Sequence, residues 1–290
     1  MKIFITGASG FIGRNLLPIL RGHDLLCLSH SQVIQHEGQN IKVVTGDLDK
    51  PESYTDALDH FRPDCCIHLA WHGLPDYSVE NSAKNLFSGI SLVKNLVKVE
   101  CKKVFIIGSC WEYGPALGAV SENGESNEIA VFASFKTSLR IISDSICRES
   151  NTTLVWGRAF FVYGPWQRTD ALIPYCYRAF KNSENPKINN PLARNDFVHI
   201  SDVVDSIRVL VESDDSSGIY NIGSGVSSAV WEVVNMVAPE LGLPPPYKDM
   251  PTILDGNFAD MTRMREHNWV PKITLAQGIS GTVKKLDSDL

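Results

Sequence analysis

The sequence predicts an α/β fold built on a doubly wound parallel sheet, with a smaller substrate-binding domain towards the C-terminus. Short apolar runs of strand length alternate with longer segments of helical periodicity through the first half of the chain. The first run, Ile3 to Ile5, ends in a glycine-containing turn, and a helical pattern begins at Phe11. No repeat or low-complexity linker interrupts the alternation, which indicates parallel strands joined by right-handed crossovers.

Composition limits the classes of partner. The 290 residues are 43% hydrophobic and 21% charged, enough for a sizeable core. A net charge of -6 without blocks of like charge argues against nucleic acid or a membrane as a partner. The 7 cysteines are odd in number and scattered, so we expect neither a disulfide framework nor a metal site. We expect a cytoplasmic protein without signal peptide or membrane anchor.

The turn after the first strand predicts a dinucleotide-binding site. Gly7 can take a positive φ, Gly10 lets the backbone approach a pyrophosphate, and Gly13 lets the helix pack closely. The helix N-terminus offers N–H groups to an anion, whereas the alternative is a turn without ligand. The position between strand and helix favours the cofactor. The predicted contacts in this turn are Gly7, Ser9, Gly10, Phe11, Ile12 and Arg14.

The end of the predicted second strand, Asp24 to Leu28, bears on the choice between NAD and NADP. Its tip reads Ser29-His30-Ser31, where NAD-specific folds carry an acidic residue that binds the adenosine ribose. Hydroxyls and an imidazole accept a 2′-phosphate that a carboxylate would repel, and Arg14 is a cationic partner. The tip therefore favours NADP, with NAD and an ordinary loop as the alternatives.

The third strand is predicted from Ile41 to Thr45 and is followed by Asp47 and Leu48. Asp47 either accepts a hydrogen bond from the adenine amino group, with Leu48 covering the ring, or caps a turn. A short helix is predicted from Pro51 to Phe61. The two roles of Asp47 stay open.

The fourth strand, Asp64 to Leu69, is predicted to be buried, and its end reaches the carboxyl edge of the sheet, where open α/β folds bind ligands. We assign Leu69 and Ala70 to the cofactor and Trp71 to the substrate. His68 lies within the apolar run and is assigned to the core. A long helix from Tyr77 to Val99 and a fifth strand from Lys103 to Gly108 follow.

Segments along nearly the whole chain resemble landmarks of the extended short-chain dehydrogenase/reductases. This is the NAD-dependent epimerase/dehydratase family, which has a Rossmann fold and acts on nucleotide-diphosphate sugars. The matching segments are Thr6 to Gly13, Gly108 to Gly114, Gly157 to Pro165, Asn195 to Val203, Tyr220 to Gly225, and Asp260 to Arg263 with Trp269 to Pro271.

The resemblance implies three catalytic positions. Ser109 matches the hydroxyl that hydrogen-bonds the reacting sugar oxygen, and Lys136 matches the cation that holds the nicotinamide ribose and lowers the pKa of the catalytic phenol. The tyrosine position four residues before the lysine holds Phe132. Either Phe132 is an introduced replacement, which the intact surroundings favour, or the natural protein has altered or lost activity.

The resemblance also narrows the reaction. Cys110 and Trp111 stand where the 4,6-dehydratases of the family carry Asp-Glu, and Trp111 stands where the 3,5-epimerase/reductases carry cysteine. The reaction that remains for this chain is hydride transfer at the sugar C4, either by net reduction of a 4-keto sugar or by 4-epimerisation. The loop resembles the 4-ketoreductases of the CDP-abequose and CDP-paratose synthase group. A catalytically inactive NADP-binding sensor or scaffold is the alternative from another class.

We expect residues 1–165 to form the dinucleotide-binding domain and residues 166–290 mainly the nucleotide-sugar domain, with some segments folding back onto the sheet. Arg194 lies one residue before the position of the family's pyrophosphate-binding arginine, and Arg263 is a second phosphate ligand. The predicted substrate contacts are Trp71, Ser109, Cys110, Trp111, Phe160, Arg194 and Arg263.

The resemblance implies a homodimer formed by two helices of each subunit. On the helix that carries Lys136, one stripe consists of Phe135, Leu139, Ile142 and Ile146. This stripe is compatible with a dimer interface and equally with packing on the sheet.

Overall fold

The computed structural model describes residues 1–30, 40–124, 129–251 and 256–289. The strands are β1 (Lys2–Thr6), β2 (Asp24–Ser29), β3 (Ile41–Thr45), β4 (Cys65–His68), β5 (Lys103–Ser109), β6 (Gly118–Val120), β7 (Thr153–Ala159), β8 (Phe161–Tyr163), β9 (Arg194–His199), β10 (Gly218–Ile222), β11 (Ser227–Ala229) and β12 (Asn257–Ala259). The helices are α1 (Phe11–Leu16), α2 (Thr55–Phe61), α3 (Val79–Lys98), α4 (Val131–Arg148), α5 (Leu172–Lys181), α6 (Ile200–Glu212), α7 (Val230–Glu240), α8 (Thr262–Glu266) and α9 (Leu275–Ser288).

The predicted α/β class is confirmed by a seven-stranded sheet with the order β10-β7-β5-β4-β1-β2-β3. β1 pairs in parallel with both β2 and β4, and the pairs β2–β3 and β4–β5 are also parallel. The chain winds outwards in one direction through β2 and β3 and then in the other direction from β4. The sheet therefore has its topological switch point between β1 and β4, where the carboxyl ends of the strands leave a crevice.

Two prolines alter the predicted helices. α1 ends at Leu16 and passes into a 3₁₀ turn over Leu17–Leu20, with Pro18 in its first positions. The helix predicted from Pro51 begins instead as a 3₁₀ turn over Pro51–Ser53, and α2 starts at Thr55. At Pro18 the missing N–H ends regular α-helical bonding. After Pro51 the α-helix is delayed by Tyr54, whose φ of -136° is not helical.

The chain divides into two units, each made of separate segments. The first contains Met1–Pro115, Glu125–Arg158 and Val204–Tyr220; the second contains Ala116–Gly124, Ala159–Val203 and Asn221–Leu290. The border expected after residue 165 differs from this division, because residues 116–124 and 159–165 lie in the second unit. Residues 204–220 lie in the first unit, and they are a segment of the kind expected to fold back onto the sheet.

The first unit has its core between the sheet and the helices that cover it. Phe4, Cys66, Val104 and Trp156 are fully buried in one apolar cluster with residues of α3 and α4. The two helices pack closely, since a Cβ on Gly89 would lie 2.9 Å from Leu139.

The second unit contains the sheet β11-β9-β8 and the pair β12-β6. Its apolar cluster lies on α5, α7 and α9. Among the described residues of the chain, we find no helix long and apolar enough to cross a membrane.

Candidate active site

The turn between β1 and α1 is as close-packed as its glycines predict. Gly7 has a φ of 75°, and a Cβ there would lie 2.7 Å from the backbone nitrogen of Ala70. A Cβ on Gly13 would lie 2.2 Å from the carbonyl oxygen of Gly7. Gly10 differs, because within 4 Å its Cβ would meet only that same carbonyl, at 3.2 Å. The outer side of the turn is therefore open, and no side chain caps the start of α1. This cradle fits a dinucleotide pyrophosphate.

The end of β4 is tied to the end of β1 beside this turn. Thr6 Oγ1 lies 2.6 Å from His68 Nδ1, and the Leu69 amide donates to the Thr6 carbonyl over 3.1 Å. Burial, with a smaller contribution from the charge of Lys136, lowers the pKa of His68 to about 3. His68 is therefore the neutral core residue that the sequence predicts, and it holds Leu69 and Ala70 next to the glycine turn.

The predicted adenosine contacts lie at the tips of β2 and β3. His30 is exposed, and its Nδ1 lies 3.7 Å from Asp47 Oδ2. Asp47 also accepts the amide of Asp49 over 3.0 Å, which is the turn-capping role that the sequence left open. Ser29 is buried and Leu48 packs partly against the core, while Ser31 lies outside the described residues.

Arg14 lies in α1 with its guanidinium directed at the glycine turn. Its Nη2 and Nε donate to the carbonyl of Ser9 over 2.9 and 3.3 Å. The side chain is exposed, so these bonds leave part of the guanidinium fork available to a ligand.

Ser109 is held at the end of β5 by a buried carboxylate. Glu112 Oε1 accepts the Ser109 amide over 2.8 Å, and Ser109 Oγ accepts the Trp111 amide over 3.2 Å. Glu112 also accepts Trp156 Nε1 over 3.0 Å and forms a buried ion pair with Arg158 Nε over 3.1 Å. This Glu112 anchor was not assigned from the sequence, although the spacing Ser-x-x-Glu is a capping-box signal.

Lys136 lies buried in α4 with its charge directed at the sheet. Its Nζ donates to the carbonyl of Ile107 over 2.8 Å and lies 4.4 Å from the centroid of the Trp71 ring. Burial lowers the pKa of Lys136 to about 8, with the charge of Glu112 opposing the change. Trp71 Nε1 is buried and has no hydrogen-bond partner among the described residues, so a donor beside Lys136 is available to a ligand.

Three rings surround Phe132, which stands at the position where the catalytic phenol is missing. The Phe132 centroid lies 5.2 Å from Trp71, 5.1 Å from Tyr77 and 5.8 Å from Trp111, all in edge-to-face geometry. We call Trp71, Tyr77, Trp111 and Phe132 the aromatic cluster. Phe132 is buried, whereas Trp111 remains 39% exposed. Tyr77 was assigned from the sequence only to the start of a helix, and no local pattern places it here.

The predicted site residues fall into two groups. The first unit brings together the glycine turn, Leu69, Ala70, Lys136, the buried Cys110 and the aromatic cluster. The other predicted substrate contacts lie in the second unit. There Phe160 is buried after β7, Arg194 Nη2 donates to the Ser227 carbonyl over 2.6 Å, and Arg263 is half-buried in α8.

A comparison with protein families shows which family the chain belongs to. Residues 3–223 match the NAD dependent epimerase/dehydratase family. The chain belongs to this family. The resemblance seen in the motifs is thereby confirmed, and the fold and the glycine turn of this family member agree with NAD-dependent chemistry.

Individual relatives are distant but match nearly full length. The dTDP-4-dehydro-6-deoxyglucose reductase of Escherichia coli is 23% identical, over 98% of this chain and 97% of its own. The dTDP-6-deoxy-L-talose 4-dehydrogenase (NAD(+)) of Aggregatibacter actinomycetemcomitans is 24% identical, over 87% of this chain and 95% of its own. The UDP-glucose 4-epimerase of Thermus thermophilus, solved in complex with NAD, superposes with a TM-score of 0.83 at 22% identity, covering 100% of both chains.

Proposed function

We propose that this chain is an NAD(P)-dependent 4-ketoreductase of a nucleotide-diphosphate deoxysugar. The observation that carries the proposal is the placement of Ser109 and Lys136 in one unit with the open glycine turn, while Cys110 and Trp111 occupy the positions of an elimination pair. The activities of the two relatives, a 4-keto sugar reductase and a 4-dehydrogenase, support chemistry at C4.

The chain's own residues have separate roles in this mechanism. The bound cofactor supplies the hydride. The Ser109 hydroxyl donates to the C4 oxygen as negative charge develops there, and Glu112 keeps Ser109 in place. Lys136 holds the nicotinamide ribose and stabilises negative charge nearby. Phe132 has no proton to give, so we expect this chain to be slower than a chain with tyrosine at that position.

For the cofactor we propose NADP, with NAD as the alternative. The end of β2 carries Ser29 and His30 and no acidic residue at these two positions. The exposed guanidinium of Arg14 lies at the glycine turn. Asp47 acts in the other direction, since its carboxylate lies 3.7 Å from His30 and disfavours a 2′-phosphate. We assign the nucleotide diphosphate to Arg194 and Arg263 and the sugar to Trp71, Trp111 and Phe160, and we propose a cytoplasmic homodimer.

The test is oxidation of NADPH and of NADH by the purified chain against a panel of nucleotide-4-keto-6-deoxy sugars. Ser109→Ala should lower kcat/KM by about 10²–10³-fold, because an oxyanion donor is lost. Phe132→Tyr should raise it, because a phenol is then present at the position where the family carries its general acid. Arg14→Gln should weaken NADPH binding about tenfold while leaving NADH binding nearly unchanged.

Ser145→Ala is the matched control, since Ser145 is an exposed serine of α4 whose hydroxyl donates to its own helix. If the chain and its Phe132→Tyr variant both bind cofactor yet reduce no keto sugar, the reductase proposal is wrong. Interconversion of nucleotide-diphosphate hexoses that differ only at C4 would then identify a 4-epimerase. Cofactor binding without any turnover would identify a sensor or scaffold.

A further inference from the structure

Reduction of a ketone at C4 needs a proton as well as a hydride, and the phenol that usually gives this proton is missing. The Phe132 ring occupies its position without a hydroxyl. Any acid that takes over must lie close to this ring, be accessible to substrate, and recover its proton from solvent. The aromatic cluster contains one ionisable ring among its four members, that of Tyr77.

The Tyr77 ring contacts the rings of Phe132 and Trp111. Its centroid lies 5.1 Å from Phe132 at an interplanar angle of 69°, and 5.3 Å from Trp111. Trp111 follows Ser109 by two residues in the turn that Glu112 anchors. The Tyr77 ring therefore contacts the turn that follows Ser109. Its side chain is half-buried.

The backbone on both sides of Tyr77 is fixed. Ser78 caps α3 by accepting the Asn81 amide, and the Ser78 amide donates to Asp76 Oδ1 over 2.9 Å. Asn81 Nδ2 donates to the carbonyls of His72 and Asp76 over 2.9 and 2.8 Å. These bonds define the path of the segment between β4 and α3, so the ring position does not depend on aromatic packing alone.

The cluster also carries a positive charge. Lys136 Nζ lies 5.6 Å from the Phe132 centroid and 4.4 Å from the Trp71 centroid. A nearby cation favours the ionised form of a phenol, which is the electrostatic help that this lysine gives to the usual tyrosine. Lys136 therefore contributes a positive charge next to two of the four rings, those of Trp71 and Phe132.

We propose that Tyr77 is the general acid of this chain and takes the place of the hydroxyl absent from Phe132. The inference rests on the proposed ketoreductase function. As the hydride adds to C4 and the carbonyl π bond opens, the Tyr77 O–H bond breaks and its proton forms the new O–H bond on the sugar oxygen. The ketone is reduced, the nicotinamide is oxidised, and water returns a proton to the half-exposed phenolate.

The kinetic test compares Tyr77→Phe, Phe132→Tyr and the double variant with the unaltered chain. Tyr77→Phe should lower kcat by about 10²–10⁴-fold with unchanged cofactor affinity, because one general acid is lost. In the Phe132→Tyr background the same change should cost less than about threefold, since the second phenol then gives the proton. Tyr175→Phe is the control, since Tyr175 is a phenol of α5 in the second unit and accepts the Lys187 amide.

The outcomes separate this inference from the proposed function. Full activity of Tyr77→Phe, or turnover by Phe132→Tyr but not by the unaltered chain, would overturn the role of Tyr77 and leave the ketoreductase standing. If no variant reduces a sugar, the ketoreductase proposal fails, and so does the catalytic role of Tyr77.

Discussion

His68 is kept neutral inside the first unit by its surroundings. It is buried at the end of β4, its Nδ1 lies 2.6 Å from Thr6 Oγ1, and its pKa is lowered to about 3 chiefly by burial. An unfolded histidine titrates near 6.5. Between pH 6.5 and about 3, His68 binds a proton in the unfolded chain but not in the folded chain. The free energy of unfolding therefore decreases as the pH falls through this range.

We therefore expect the free energy of unfolding to lose up to about 1.4 kcal/mol per pH unit below pH 6.5 through His68 alone. His68→Gln keeps a hydrogen-bonding partner for Thr6 but does not titrate, so it should lack this contribution. Urea unfolding of both cofactor-free chains over an acid pH series measures the difference. Parallel pH profiles for the two chains would show that His68 is protonated in the folded state.

The resemblance to the family, compared position by position, assigned Ser109 at the end of β5 and Lys136 in α4. It did not place Glu112 or Tyr77. The bonds of Glu112 to Trp156 and Arg158 and the contact of Tyr77 with Phe132 join segments far apart in the sequence. Only the folded arrangement shows that a second phenol borders the site.

At the scale of elements, the strand–turn–helix from β1 to α1 depends on the absence of one side chain. A Cβ on Gly13 would lie 2.2 Å from the Gly7 carbonyl oxygen and 2.6 Å from Ala8 Cα, both backbone atoms that cannot turn aside. The helix can therefore follow the turn at this distance only while residue 13 has no side chain.

Gly13→Ala should destabilise the chain by about 1–3 kcal/mol and weaken cofactor binding at least tenfold, because the turn must open. The control is Gly22→Ala, where an added Cβ would meet nothing within 4 Å. That change should be neutral or stabilise the chain by up to about 1 kcal/mol. Thermal unfolding and cofactor titration measure both effects. Unchanged cofactor affinity in Gly13→Ala would show that the turn does not hold the pyrophosphate.

Apolar periodicity predicted most of the helices and strands. Its errors lie at the start of α2 and on a face of α4 that also packs against another helix. β3 has its predicted bounds, whereas the predicted helix from Pro51 starts at Thr55 because Tyr54 has a φ of -136°. The apolar stripe of α4 is partly buried in the core and partly exposed to solvent. Leu139 is buried and Ile142 is exposed, a distinction that periodicity cannot make when two helices share one face.

At the scale of the whole molecule, the alternation of strands and helices predicted the doubly wound sheet but not how the chain is divided. Residues 204–220 belong to the first unit although they follow a long part of the second. β10 then extends the main sheet beside β7. Hydrophobic periodicity reports which face of an element is buried, and it carries no information on which unit buries it.

The exposed faces of α3 and α4 bear on assembly. Phe87 is 70% exposed on α3 and Ile141 is 52% exposed on α4, and these two helices pack against each other in the first unit. An exposed aromatic ring on a helix face costs solvation free energy that a partner surface would recover. We therefore expect two copies of this helix pair to meet and form the proposed homodimer.

Phe87→Glu should convert the dimer to a monomer at micromolar concentration, because each interface would bury two unpaired carboxylates. Light scattering during size exclusion measures the mass directly. Val226→Glu is the control, since Val226 is 61% exposed and belongs to the second unit, whereas α3 and α4 belong to the first. A monomeric unaltered chain, or equal loss of mass in the control, would place the exposed ring of Phe87 outside any interface.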